Sequence, residues 1–304
     1  MKLLLVLFAL LLSACTSAPL DKSITPVAEV VVSRDISDQT QLSPTATTVS
    51  MAESTPEPTM DTRLPPEQWM EWPVVPEISE TTREIYRKGL EMGNDPTAFS
   101  KVGDCQNLKE YFLGHYDYLD QYEFDFYIEQ YMDTIENFQG NFYRDGQAAR
   151  FGFTAASPLS QFQADTDVCL PDETPLECEI RVAKPSFIVI SLEFPFSGRT
   201  PELYGNYIRK IVEYSVSKGV VPILATKADN AEGDHSINYT TTQIAYEYDV
   251  PLWNWWLAAQ PMWNHGLDPD RDNGNFHITK DAWWERSKTF LQTLDHLWKG
   301  LREG

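Results

Sequence analysis

The stretch of residues 186–194 places the strongest constraint on the fold. Its sequence is Ser-Phe-Ile-Val-Ile-Ser-Leu-Glu-Phe, which is apolar at almost every position. A strand with one face in water alternates apolar and polar residues, whereas a near-continuous apolar strand is covered on both faces. Residues 220–226 have the same character. Strands of this kind occur in parallel sheets that carry helices on both sides.

Strand and helix patterns alternate along the rest of the chain. We predict strands over 98–102, 149–156, 186–194, 220–226 and 250–253. We predict helices over 80–92, 124–138, 201–217, 240–248 and 279–301. This alternation predicts an α/β fold with a mainly parallel sheet. In open sheets of this type, functional residues lie beyond the carboxyl ends of the strands.

The first fifteen residues predict export. Met1 and Lys2 precede an unbroken apolar run over 3–12, and Ser13-Ala14-Cys15 follows. A basic tip, a short apolar core and small residues form a secretory signal, and the run is too short to span a bilayer. Residues 12–15 also resemble a bacterial lipobox, whose cysteine is lipidated after cleavage. We predict a lipoprotein anchored at the cell envelope through Cys15; the alternative is an ordinary signal peptide with a chance cysteine.

Composition divides the remainder into a linker and one domain. Residues 16–62 are rich in Ser, Thr and Pro with few aromatic residues, which predicts a flexible spacer before a folded domain over 63–304. The chain has a net charge of −21 and a pI of about 4.5. Such a surface repels nucleic acid and anionic membranes. The lipid anchor is therefore the only membrane contact that we predict.

A candidate nucleophile follows the first predicted strand. Residues 98–102 run into Gly103, Asp104 and Cys105, and a helix-like segment comes next. A thiol at such a junction lies near the backbone N–H groups of a helix start, which stabilise a thiolate. The alternative is a buried, inert cysteine, since free cysteines are often simply buried.

Two other cysteines predict a disulfide. Cys169 and Cys178 bracket a turn-rich segment with two prolines. In an exported protein this spacing indicates a bond that contributes roughly 2–3 kcal/mol for so small a ring. A metal site would need further ligands, and no other Cys or His lies close in sequence. We predict neither a metal nor a cofactor, and Cys105 remains outside the disulfide.

A candidate general base lies near the end of the chain. His277 stands just before the closing helix, which would hold its imidazole rigidly. An acid must orient the other ring nitrogen of such a base, and Asp268, Asp270 and Asp272 are the candidates. The alternatives for this acidic loop are a solvated turn or a calcium-like cluster of oxygen ligands.

From about residue 98 to 301, the chain resembles the SGNH (GDSL-type) hydrolase family, in particular exported bacterial members with a lipobox. The similar stretches are Gly103-Asp104-Cys105, Arg150-Phe-Gly-Phe-Thr-Ala-Ala156, Val189-Ile-Ser-Leu192, Gly219-Val-Val-Pro-Ile-Leu-Ala-Thr-Lys-Ala-Asp-Asn230 and residues 269–279. Their order and rough spacing match consecutive blocks of that family. The resemblance implies a three-layer α/β/α sandwich with a flavodoxin-like sheet.

The resemblance also implies roles for individual residues. Cys105 would attack an ester carbonyl and His277 would serve as the base. Asp272 or Asp270 would orient the imidazole. An oxyanion hole would use backbone N–H groups at Cys105 and around Gly152 and Ala155.

Three positions depart from the family's pattern. Its nucleophile is normally serine, although a thiolate paired with histidine is also competent. Its third block supplies an Asn side chain to the oxyanion, where this chain has Pro195 close to Glu193. Loss of one such donor costs around 2.7–4 kcal/mol of transition-state stabilisation. The acid normally stands three residues before the histidine, where this chain has Gly274.

Two function hypotheses follow. The first is a surface-anchored esterase that uses Cys105 and His277 on an O-acylated glycan or envelope component. The second is a catalytically degenerate lipoprotein that kept the fold and its cleft for binding. A thiol redox role is disfavoured because the chain has no Cys-x-x-Cys pair. Some tryptophans could stack on sugars, although their density favours core positions for most of them: Trp253, Trp255, Trp256, Trp263, Trp283 and Trp284.

Overall fold

Four parallel strands organise the computed structural model of the protein, which describes residues 63–122, 126–192, 200–270 and 277–303. The strands are β1 (Asp95–Gly103), β2 (Pro185–Ser191), β3 (Val221–Ala225) and β4 (Leu252–Trp253). They lie side by side in chain order. All four strands begin within a few residues of the predicted positions, because their apolar runs are bounded by polar residues and helices.

The predicted strand over 149–156 is wrong. Only Ala149 pairs with the sheet, through an isolated parallel bridge to Gly103 at the outer edge of β1. The chain then turns, because the N–H of Phe153 donates to the carbonyl of Arg150 and Gly152 has φ +79°. If the bridge is counted as a rudimentary second strand, the spatial order 2-1-3-4-5 is flavodoxin-like, as the resemblance implied.

Seven α-helices alternate with these strands in the described part of the chain. They are α1 (Glu80–Glu91), α2 (Met132–Asn137), α3 (Pro175–Ala183), α4 (Pro201–Ser217), α5 (Ser236–Tyr248), α6 (Trp255–Ala259) and α7 (Lys280–Arg302). The predictions for α1, α4, α5 and α7 are confirmed. The helix predicted over 124–138 is shorter, since Phe126–Tyr131 is a 3-10 helix that leads into α2. None of the described helices is long and apolar enough to cross a bilayer.

Helices cover both faces of the sheet. Six consecutive residues of β2 are buried, which requires cover on either side. Phe187 of β2 stacks on Tyr86 of α1 at 5.4 Å between ring centroids, and Phe99 of β1 lies 6.3 Å from Phe290 of α7. On the opposite face, Ser100 of β1 donates a hydrogen bond to Glu179 of α3. The three-layer α/β/α sandwich is therefore confirmed.

The helix α3 was not predicted. The two prolines between Cys169 and Cys178 predicted a turn-rich loop, but Cys178 lies within α3 and forms a disulfide with Cys169. The hydroxyl of Thr174 accepts from the N–H of Glu177, and the carboxylate of Glu177 accepts from the N–H of Thr174. This capping box and Pro175 at the first turn are a recognisable sequence signal for a helix start.

The segment before α1 packs on the domain. Residues Pro66–Glu71 form a 3-10 helix in which Trp69 is buried. The side chain of Asn254 donates to the carbonyls of Trp69 and Trp72, which ties this segment to the end of β4. The predicted signal over 1–15, with Cys15, and the linker over 16–62 lie outside the described residues.

A buried lysine on β1 makes stability depend on pH. Lys101 is 2% exposed, and its amine donates to the carbonyl of Phe142 at 3.4 Å. Desolvation lowers the pKa of Lys101 to about 8, although Asp145 opposes this shift. Below that pH the native state carries a buried charge at a cost of about 3 kcal/mol relative to the unfolded chain. Between about pH 8 and the normal lysine pKa, the unfolded state binds more protons, so this residue's contribution to the free energy of unfolding rises with pH.

Lys101→Met is therefore expected to raise the free energy of unfolding at pH 7, and the gain is expected to shrink by pH 10. Urea denaturation of the variant and wild type across this range measures the difference. Lys88→Met, at an exposed position of α1, is the matched control and is expected to show no such trend. A gain that stays constant with pH would contradict the assignment.

Candidate active site

The turn after β1 holds Cys105 in a defined place. Asp104 is buried, and its carboxylate accepts from the N–H of Gln106 at 2.9 Å, which caps the short 3-10 helix Cys105–Asn107. Asn107 is also buried and donates to the carbonyl of Ser191 at the end of β2 at 2.6 Å. A Cβ at Gly103 would lie 2.0 Å from the Asn107 side chain, so this approach requires glycine. Cys105 is half-buried and lies outside the disulfide.

The loop predicted to complete the oxyanion hole lies beside this turn. The N–H of Gly103 donates to the carbonyl of Ala148 at 3.1 Å, and the N–H of Arg150 returns a bond to the carbonyl of Gly103 at 3.2 Å. Gly152 is exposed and Ala155 is buried. Within the described part of the chain, neither of their N–H groups has an acceptor. The backbone thus brings the two predicted blocks to one edge of the sheet.

His277 lies where the two ends of the acidic loop pair with each other. Residues Leu267 and Ile278 form an antiparallel bridge, the N–H of Asp268 donates to the carbonyl of His277 at 2.9 Å, and the N–H of Thr279 donates to Gly266. Asp268 and His277 are therefore directly opposite each other, on the same side of this short ladder. Opposite residues have Cβ atoms about 5 Å apart.

The three candidate acids differ in placement. Asp268 is half-buried and stands across from His277, whereas Asp270 is exposed and its N–H bonds to the Asp268 carboxylate at 3.1 Å. Asp272 lies outside the described residues. Proximity along the chain favoured Asp272 and Asp270, but the pairing of the loop's two ends favours Asp268.

Arg286 joins the two halves of the candidate site. This residue of α7 is 2% exposed, and its guanidinium donates to the carbonyl of Gln106 at 2.7 Å and to the side chain of Asn107 at 3.0 Å. A further bond reaches the hydroxyl of Ser191 at 2.9 Å. The helix α7, which begins just after His277, is thus hydrogen-bonded to the turn that carries Cys105. Arg286 was not predicted as a site residue, because an arginine within an amphipathic helix normally indicates the solvent face.

A buried group of ions stands where β3 ends. The amine of Lys227 contacts the carboxylates of Asp229 at 2.5 Å and Glu232 at 2.6 Å. Asn238 of α5 exchanges two hydrogen bonds with the Lys227 backbone. His235 follows, and its ring contacts Trp69 and Trp256 at centroid distances of 5.7 and 5.9 Å. The shape of this edge thus depends on buried charges that pair with one another.

Some of the remaining predictions can be compared with the structure, and others concern residues that it does not describe. The disulfide is confirmed, with Cα atoms 5.2 Å apart. Cys169, Glu173 and Cys178 are the one group in the described ranges with metal-ligand spacing, but the disulfide occupies both sulfurs. Trp253 and Trp255 are core residues, while Trp256, Trp283 and Trp284 are half-buried and Trp263 is exposed. Glu193, Pro195 and Gly274 lie outside the described residues, so the second and third departures from the family pattern stay predictions.

Comparison with solved structures returns several proteins that share 13–14% sequence identity with this chain. One is a GDSL-like lipase from Bacteroides thetaiotaomicron, with 13% identity, a TM-score of 0.43, and coverage of 71% of this chain and 98% of that one. Another is TesA, with 14% identity, a TM-score of 0.42, and coverage of 66% and 99%. No family model and no curated protein matches this chain. The assignment of a reaction therefore depends on the residues of this chain.

Proposed function

We propose that this protein is an ester hydrolase of the SGNH type, with Cys105 as nucleophile and His277 as general base. The observation that carries the proposal is that the segments holding Cys105 and His277 are both connected to α7. The Cys105 turn bonds to the 148–150 loop through Gly103 and to α7 through Arg286, while α7 begins directly after the His277 segment. These connections support a site at the carboxyl edge of the sheet, where the N–H groups of Gly152 and Ala155 have no acceptor among the described residues.

The chemistry follows from these groups. His277 accepts the thiol proton of Cys105, and the thiolate attacks the ester carbonyl. The N–H groups of Cys105, Gly152 and Ala155 stabilise the oxyanion, and the alcohol leaves with the proton from the imidazolium. Water then attacks the thioester and gives a proton to His277. The carboxylic acid departs and the thiol is restored.

We propose Asp268 as the acid that orients His277, with Asp270 and Asp272 as the alternatives. An acid in this role keeps the imidazole in the tautomer that accepts the thiol proton and stabilises the imidazolium. The cross-strand position of Asp268 supports it over exposed Asp270.

The substrate that we propose is an O-acylated glycan or envelope component outside the cytoplasm. The predicted signal and lipobox support this location, since a lipid on Cys15 would hold the domain at a membrane surface. Loss of membrane association in Cys15→Ala tests the anchor. The catalytically degenerate binding lipoprotein remains the second candidate, and Pro195 at the expected position of an oxyanion donor favours it.

Hydrolysis of a short-chain p-nitrophenyl ester by the purified protein tests the proposal. Cys105→Ala and His277→Ala are each expected to lower kcat by about 10³-fold or more. Among Asp268→Asn, Asp270→Asn and Asp272→Asn, the first is expected to lose the most activity, because a wrong tautomer costs up to about 10⁴-fold.

Other outcomes change the assignment in defined ways. Activity that appears only in Cys105→Ser would show an intact scaffold blocked by its thiol. Turnover that survives in Cys105→Ala would exclude this nucleophile. Folded protein that is inactive in every variant, on p-nitrophenyl esters and on acetylated oligosaccharides, would favour the binding lipoprotein.

A further inference from the structure

A cavity of about 340 Å³ lies between the segment that follows Cys105 and the first turns of α7. One wall is formed by Lys109, Glu110 and Tyr111, which begin four residues after Cys105. The other is formed by residues of α7 from Lys280 onward, which begin three residues after His277. The cavity is therefore lined by residues that follow Cys105 and His277 closely in the sequence. Its volume is at the lower end of the range for small-molecule sites.

Flat aromatic groups make up most of the lining. Tyr111 contacts Trp283 at 4.7 Å between ring centroids, and His115 contacts Trp284 at 4.3 Å. Tyr111, Trp283 and Trp284 are half-buried, so each keeps part of its surface open. Burial lowers the pKa of His115 to about 4, so its ring is neutral at physiological pH.

Polar groups alternate with these rings. Lys109 lies over the Tyr143 ring at 4.8 Å and pairs with Asp145 at 3.5 Å, and Lys280 is exposed at the start of α7. Among the described residues that line the cavity, none is aliphatic. An aliphatic acyl chain gains most from aliphatic walls. A sugar ring presents apolar C–H faces to aromatic rings and hydroxyl groups to charged side chains, and this lining suits both.

We propose that this cavity is a carbohydrate subsite that binds one sugar ring of a glycan. The inference deepens the proposed function and rests on it for the claim that the glycan is an ester substrate. Binding itself does not require catalysis, so the subsite is measurable in a protein that cannot turn over. A ring seated between Tyr111 and Trp284 would belong to a chain that continues toward Cys105.

Isothermal titration of the full-length Cys105→Ala protein tests the subsite. The probes are chitotetraose, cellotetraose and tetragalacturonate, which differ in their N-acetyl groups and charge. At least one is expected to bind, and Trp284→Ala in the same background is expected to weaken its affinity tenfold or more. Trp263→Ala, which removes a 73% exposed tryptophan outside the cavity lining, is the matched control and is expected to bind as before.

A second variant distinguishes loss of sugar binding from loss of the folded state. Lys280→Ala removes an exposed side chain that lines the cavity, and it is expected to weaken binding with an unchanged urea midpoint. Absence of binding by all three probes would overturn the subsite, as would equal losses in the Trp284 and Trp263 variants. Binding of ferulate in place of the saccharides would assign the cavity to an aromatic acyl group. Saccharide binding by a protein whose wild type hydrolyses no ester would retain the subsite and reject the hydrolase.

Discussion

Arg286→Met is expected to destabilise the fold and the Cys105 turn together. In the interior, the guanidinium donates hydrogen bonds to Gln106, Asn107 and Ser191. It also lies 4.1 Å from the ring centroid of Phe112 and 5.3 Å from that of Trp253. Methionine fills much of the same space but leaves buried acceptors without donors. Because an unsatisfied buried acceptor costs about 1–3 kcal/mol, we expect a loss of about 3 kcal/mol in the free energy of unfolding.

The same variant is expected to slow alkylation of Cys105. A cation bound to the adjacent carbonyl favours the thiolate, so its removal is expected to raise the pKa of the thiol. The rate of reaction with iodoacetamide against pH reports this pKa without any substrate. Arg286→Lys separates the two effects, since it keeps the charge and loses the planar set of donors.

Lys288→Met is the matched control for Arg286. Lys288 lies on the same helix, is one-third exposed, and pairs with Glu285 at 3.3 Å. A change of no more than about 0.5 kcal/mol is expected there. If Arg286→Met matched this control in both urea midpoint and alkylation profile, the positioning role would be wrong.

Glu179→Leu is expected to cost about 3–5 kcal/mol of stability. Glu179 is 1% exposed and accepts from Arg144 at 2.6 Å, from the hydroxyl of Ser100 at 2.5 Å and from the N–H of Gln147 at 2.6 Å. Leucine would leave Arg144 without its carboxylate and would leave two other donors unsatisfied. A Cβ at Gly146 would meet the carboxylate at 2.5 Å, which shows how closely the loop packs on it.

This carboxylate also supports the candidate oxyanion loop. Gln147 precedes the bridge between Ala149 and Gly103, so loss of its anchor is expected to displace the 150–155 loop and to lower esterase activity. Chemical denaturation and ester hydrolysis measure the two effects. Glu179→Gln keeps the shape and removes the charge, and Glu136→Gln makes the same change at an exposed helical position. Equal urea midpoints for these two variants would contradict the role of the buried charge.

Local patterns predicted most of the fold. The apolar runs of β2 and β3 and the helical spacing of α4 and α7 are patterns within a few residues of sequence. They can therefore be recognised without tertiary information. The strand predicted over 149–156 failed because its small and aromatic residues lack the continuous apolar run of the true strands, and only Ala149 meets the sheet. The helix α3 was missed although Thr174-Pro175 and Glu177 signal its start.

The candidate site was also predicted only in part. The sequence by itself determined the α/β class, the junction at Cys105, the position of His277 and the pairing of Cys169 with Cys178. Tertiary structure alone decided that Asp268 is opposite His277 in the backbone pairing of the loop's two ends, that Glu179 holds the 147–150 loop, and that Arg286 reaches Gln106 across 180 residues of sequence. Contacts of this kind depend on which side chains meet when layers pack, and a buried charge is recognisable only when its partners are in place.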